Sequence, residues 1–163
     1  MLFLIQNVLY CLMFILPVKC AVRNNGLNCL YFYPPEFIEE AQKRGIADKD
    51  AVMKKGMHFM IPFCIFIFLV LVLIIAFWNG VTDFKTAYIQ AYILLVVMNW
   101  FDGIVLDRVW VGHSRIWKIE GMEGIPYIKP WKSVLVKRSL AMVLYLVVAP
   151  VIAGLVVLVG KLV

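Results

Sequence analysis

Between Asn99 and Arg115 the chain reads NWFDGIVLDRVWVGHSR, a stretch that carries an amide, two carboxylates, two guanidinium groups and an imidazole. Such a set is equipped for proton transfer. Asp102, Asp107 and His113 are the catalytic candidates, with Asp102 as general base or proton carrier. Asn99, His58, Arg108 and Arg115 are the binding candidates, His58 assisting the base and the arginines holding an anionic headgroup. A competing reading needs no chemistry. In it, Asn99 and Asp102 tie helices together, and the run from Asp107 to Arg115 is a charged helix exit.

The elements that must position these groups are apolar. Of 163 residues, 64% are hydrophobic and 16% charged, against roughly half and a quarter in soluble domains, so the chain belongs in lipid. Four segments, 2–22, 57–79, 84–106 and 140–160, each approach the ~20 residues that a helix needs to cross hydrocarbon. Residues 61–77, IPFCIFIFLVLVLIIAF, are apolar on every side, which excludes the alternation of a β-barrel strand. In the first segment, positive charge follows the apolar run instead of preceding it, and no small-residue cleavage site is visible, so it reads as a retained helix.

Charge sets the orientation. Seven of the 16 Lys and Arg residues lie from the end of the first segment, at Lys19, to the start of the second, and seven between the third and fourth, leaving Lys85 and Lys161. The positive-inside rule then puts both long loops, about 23–56 and 107–139, in the cytoplasm and both termini outside. The expected fold is all-α: one integral membrane domain, 1–163, built as a four-transmembrane-helix bundle with two membrane-hugging loops that contain short amphipathic helices. The net charge of +6 is then a topology signal; it lies against a bilayer and implies no nucleic-acid partner. Cys11, Cys20, Cys29 and Cys64 form no C-x-x-C pair and read as free thiols.

If the third helix ends near Asp107, Asp102 lies about 7 Å and Asn99 about 12 Å inside its cytoplasmic end. Asn99, Asp102 and Leu106 share one face of a regular helix, which His113 would join, while Asp107 points elsewhere. An unpaired carboxylate at that depth costs several kcal/mol, so Asp102 either has a cationic or hydrogen-bonding partner or carries a raised pKa; counting depth alone, His58, Asp107, Arg108 and His113 gather with it at the cytoplasmic end of the bundle.

The first loop reads as structured. Pro34 and Pro35 start a helix whose Glu36, Glu39 and Glu40 suit its N-terminal end, with Glu39–Lys43 and Glu40–Arg44 as i,i+4 pairs. Phe37, Ile38 and Ala41 form its apolar face, to rest on the bilayer or on the second loop, and Gly45 is placed to end it. Asp48 can cap a further short helix leading to His58. In the second loop, Gly121, Gly124, Pro126 and Pro130 break regular structure, and Trp110, Trp117, Tyr127 and Trp131 favour the headgroup zone. Pro130 can also start the last helix, in which Pro150 invites a kink near Gly154 and Ala149 and Ala153 permit close helix approach.

Other templates fit poorly. The two histidines have no metal or haem spacing, Met57 and Met60 read as packing, and no metal ligand or cofactor is assigned. DGIVLDR is similar only to the start of the lipid-alcohol phosphotransferase signature, with the wrong spacing, and no G-x-S-x-G, P-loop or H-E-x-x-H occurs. Gln90, mid-membrane, has no ionisable companion, which leaves an ion pathway unsupported.

YPPEF at 33–37, RGI at 44–46, NWFDGIVLDRVWV and GMEG together resemble small four-span bacterial membrane proteins to which no activity is attached. The resemblance implies the topology and the pairing of the loops and carries no catalytic residue. The leading expectation is a non-enzymatic module of the bacterial cytoplasmic membrane, working through its loops in contact with membrane lipid, as a homo-oligomer or a subunit of a larger complex. The alternatives are a small enzyme acting on a lipid or isoprenoid headgroup, and a transport component. An enzyme requires a lateral opening at the level of Asp102, lined by His113 and Arg115; a module requires Asp102 packed against polar partners.

Overall fold

The computed structural model describes residues 2–161, and among them every regular element is helical. Four helices are long and apolar enough to cross a membrane: α1 (Leu2–Val22), α3 (Lys49–Trp78), α4 (Phe84–His113) and α5 (Trp131–Gly160). The short α2 (Pro35–Lys43) lies in the first long connection.

Three of the spans are longer than hydropathy alone implies, because a hydropathy window stops at the first charges while the backbone does not. Asp48 accepts from the Asp50 backbone N–H at 3.1 Å and caps α3, and Lys54 and Lys55 propagate the helix without a break into the apolar run. The expected short helix is therefore the first part of α3. Likewise, α5 starts at Trp131 behind Pro130, which carries Lys137 and Arg138 onto the helix. A 30-residue helix is about 45 Å long against ~30 Å of hydrocarbon, so these charged turns stand beyond the oily slab. Below them the outward faces are apolar, Leu140 and Val147 exposing 69% and 68% of their surface, as lipid contact requires.

The helices of the bundle pack through small residues. Ala87 and Ala91 of α4 and Ala149 and Ala153 of α5 are fully buried, and α4 and α5 form the most extensive helix pair. The Tyr10 hydroxyl of α1 donates to the Ile67 carbonyl of α3 at 3.3 Å. At the end carrying the short α3–α4 turn, Gln6 donates to Asn79 Oδ1, and Asn79 Nδ2 donates to Gln90 Oε1 at 2.8 Å. Gln90 thus has amide partners, and the chain of amides staples α1, α3 and α4 together.

The two long connections form one cap at the opposite end. Asn25 accepts from the Leu27 N–H and starts a tight turn, Gly26–Phe32, which delivers Tyr33. Gly45, at φ +68°, then ends α2, and the Ile46 N–H returns to the Ala41 carbonyl at 2.9 Å. Phe37, Ile38 and Ala41 are buried, and Phe37 packs against Tyr33 and Tyr127, so α2 rests on the second connection. Glu40 pairs with Arg44 at 2.9 Å; Glu39 reaches Lys49 at 3.0 Å instead of Lys43. These pairs are exposed, so solvent and salt screen them and they add little to stability. Across the cap, the Tyr33 hydroxyl donates to the Trp117 carbonyl at 2.8 Å and Arg44 Nη1 to the Gly121 carbonyl at 2.7 Å. Burial holds the Tyr33 phenol well above its ordinary pKa, so it remains a donor at any ordinary pH.

Candidate functional site

The site forms where α4 changes its winding. Phe84–Phe101 is regular α-helix, whereas Asp102–Trp110 is wound as a π-helix, with hydrogen bonds from residue i to i+5. In a regular helix, residues five apart face different directions; the wider turn brings Asp102 and Asp107 onto one side. The expectation that Asp107 points elsewhere is therefore corrected, the cause being the local winding.

Both carboxylates meet Arg138 of α5. Its Nη1 lies 2.6 Å from Asp102 Oδ2 and its Nη2 2.7 Å from Asp107 Oδ2. Asn99 completes the clamp, accepting from Arg138 Nη1 at 3.3 Å and donating its Nδ2 to the Arg138 carbonyl at 3.0 Å. Lys129 adds a second cation, 3.1 Å from Asp107 Oδ1. Arg138 is 6% exposed, a depth at which a guanidinium requires ion pairing and hydrogen bonding together.

Gly103 makes room for this clamp. A Cβ there would stand 2.8 Å from Arg138 Nε and 3.1 Å from its Cγ, closer than such atoms pack. Gly103→Ala gains about 1 kcal/mol of helix propensity but displaces a side chain anchored at its far end, at about 1–3 kcal/mol. A net loss of stability is expected in detergent unfolding followed by tryptophan fluorescence; an unchanged or raised midpoint contradicts this packing.

The remaining candidates lie apart from the clamp. His58 is exposed on α3, its Nδ1 2.8 Å from the Lys54 carbonyl one turn back, and His113 is exposed with its Nδ1 2.9 Å from the Val109 carbonyl. Each ring is engaged by its own helix, which corrects the gathering expected from depth alone: a shared level does not imply a shared face. Arg115 is exposed beyond the end of α4. Arg108 props the second connection, donating to the Lys129 carbonyl at 2.7 Å with its guanidinium 4.4 Å from the centre of the Trp131 ring. Sequence reasoning missed Arg138, Lys129 and Lys137 as site residues, counting them only as loop charges. The available signal was an arginine three residues before Ala141 in a helix otherwise apolar to Gly160.

The clamp forms the polar wall of a chamber beneath the cap, with about 770 Å³ of empty space, its mouth included. Phe14 and Val18 of α1, Phe63 of α3 and Leu106 of α4 are among its apolar walls; Tyr33, Trp117 and Tyr127 of the connections roof it. Asp102, Asp107, Lys129, Lys137 and Arg138 all face it, two carboxylates against three cations. Chemically, the arrangement can hold an anion beside apolar matter. Arg138 engages both carboxylates in ion pairs. Among the described residues, no group of three or more His, Cys, Asp or Glu side chains is arranged to hold a metal ion.

No protein-family model matches the chain, and comparisons with curated proteins and with solved structures find no match.

Proposed function

We propose that this chain is a multi-pass module of the bacterial cytoplasmic membrane that works through its cap, with both long connections in the cytoplasm and both termini outside. The observation that carries this reading is the welding of two connections far apart in sequence into one folded surface, through Tyr33–Trp117 and Arg44–Gly121. Fourteen of the 16 Lys and Arg residues lie in the turns and connections at that end, as a cytoplasmic placement requires. Its partners in this reading are membrane lipid and a second copy or another membrane protein, and not nucleic acid. The resemblance to small four-span bacterial proteins agrees with the same topology.

A photo-crosslinking residue at exposed Glu120 tests the reading in intact membranes. A discrete adduct, sensitive to labelling reagents only from the cytoplasmic side, supports it. Adduct-free protein labelled from outside rejects it.

The second reading, an enzyme acting on a lipid or isoprenoid headgroup, is favoured by one observation: a chamber does open at the level of Asp102. Its lining differs from that expected, with Lys129, Lys137 and Arg138 in place of His113 and Arg115. Asp102→Asn separates the two. The module keeps its crosslinked adduct and loses about 1–3 kcal/mol of stability, since a charge-assisted hydrogen bond is weakened. For the enzyme, the variant abolishes a change in membrane lipid composition that expression of the wild-type chain produces. A transport role has the least support, because the fully buried Ala91, Leu94 and Leu95 separate the charged clamp from the amide chain at Gln90.

A further inference from the structure

The chamber has a side entrance. Six of its 16 lining residues are buried, Phe63, Leu106 and Trp117 among them at 7%, 5% and 2% exposed, and eight more are half-buried. Met60 on α3 and Lys137 on α5 both line it and are both exposed. Residues that belong to the chamber and to the outer surface mark its mouth, which therefore lies between α3 and α5. That mouth faces the surroundings of the bundle at the turns where the spans leave hydrocarbon: Lys137 is six residues, about 9 Å, along α5 from Trp131.

Lys137 is also the cation that the clamp leaves over. Asp102 and Asp107 are held by Arg138 and Lys129, and among the described residues no carboxylate lies within ion-pair distance of the Lys137 ammonium. Standing in the turns beyond the hydrocarbon, its ammonium is at the level of lipid headgroups and free to take an anion. The same chamber is lined by Lys129 and Tyr127, which can donate further, and by the apolar Met60 and Phe63, which follow the charged first turns of α3.

We propose that the chamber is a binding site for a membrane lipid with an anionic, phosphate-bearing head, which enters sideways between α3 and α5. Lys137 receives the phosphate at the mouth, Lys129 lies further in, and the acyl chains run outside along Met60 and the exposed Ile61 and Leu140. The carboxylates reject a second anion and limit the site to one head. This adds a ligand to the module reading and does not rest on whether the cap engages a protein. The crosslink from Glu120 and the lipid measurement below therefore fail independently.

Native mass spectrometry of the full chain, delipidated and presented with phosphatidylglycerol or with phosphatidylcholine of the same acyl chains, tests the site. One phosphatidylglycerol per chain is expected to survive activation that strips phosphatidylcholine. Lys137→Gln, at an exposed and unpaired position that leaves the fold intact, should weaken its retention about tenfold, the loss of one charge-assisted contact. Met60→Trp, which narrows the mouth without touching the charges, should slow lipid uptake. Millimolar inorganic phosphate should leave the lipid in place. Displacement by phosphate, as effective for Met60→Trp as for the wild type, overturns lateral lipid entry in favour of a soluble phosphate compound. Equal retention of the two lipids, or of phosphatidylglycerol by Lys137→Gln and wild type, overturns the site itself.

Discussion

Arg138→Met lowers the stability of the folded bundle by about 3 kcal/mol, the lower end of the range for breaking a buried ion pair from one side. The cost arises from what remains. Asp102 and Asp107, with side chains 25% and 15% exposed, lose the guanidinium that both of them face. Lys129 still partners Asp107, and the chamber admits some solvation, which is why the lower end applies. Converting the carboxylates as well, in Arg138→Met/Asp102→Asn/Asp107→Asn, should restore part of the loss, because no buried carboxylate is left unpaired and the Lys129 ammonium that loses Asp107 is partly exposed to solvent. Unfolding in mixed micelles, followed by tryptophan fluorescence, reads both effects. A single variant as stable as wild type, or a triple variant no better than the single, contradicts the clamp.

Trp117→Ala has the other large effect, about 3–5 kcal/mol, as expected for truncating a buried aromatic residue. Trp117 is 2% exposed and packs edge-on against Trp110 at 5.5 Å between centroids, with Tyr33 at 6.0 Å. The loss is confined to the cap, since α1, α3, α4 and α5 pack on one another without it. Limited proteolysis therefore cuts the second connection of the variant while the spans stay protected. Equal protease resistance in the variant and wild type contradicts a cap welded at this residue.

Several features were legible from residue types alone because their causes are local. Four apolar runs identify the spans, a pair of prolines starts α2, and Gly45 ends it where a positive φ is required. The energetic argument that Asp102 must find polar company was also sound, since burial of a carboxylate carries the same cost in any fold.

Its partner was not legible, and the reason is physical. Helix periodicity assumes 100° per residue, and the π-wound stretch from Asp102 to Trp110 departs from it. No local propensity announces that stretch; it is fitted to Arg138 across the α4–α5 interface, with Gly103 clearing the space. Hydropathy also stops the last span at Leu140, which leaves Arg138 among the loop charges, although Pro130 can start the helix and α5 does begin at Trp131. His58 and His113 illustrate the converse, since matching depth does not imply shared facing.

A double-mutant cycle between Arg138→Met and Asp107→Asn measures the π-wound clamp most directly, because regular winding would turn Asp107 away from Arg138. The structure predicts a coupling of about 1.5 kcal/mol or more, the range of close charge pairs. Additive losses, with no coupling between the two positions, would contradict it.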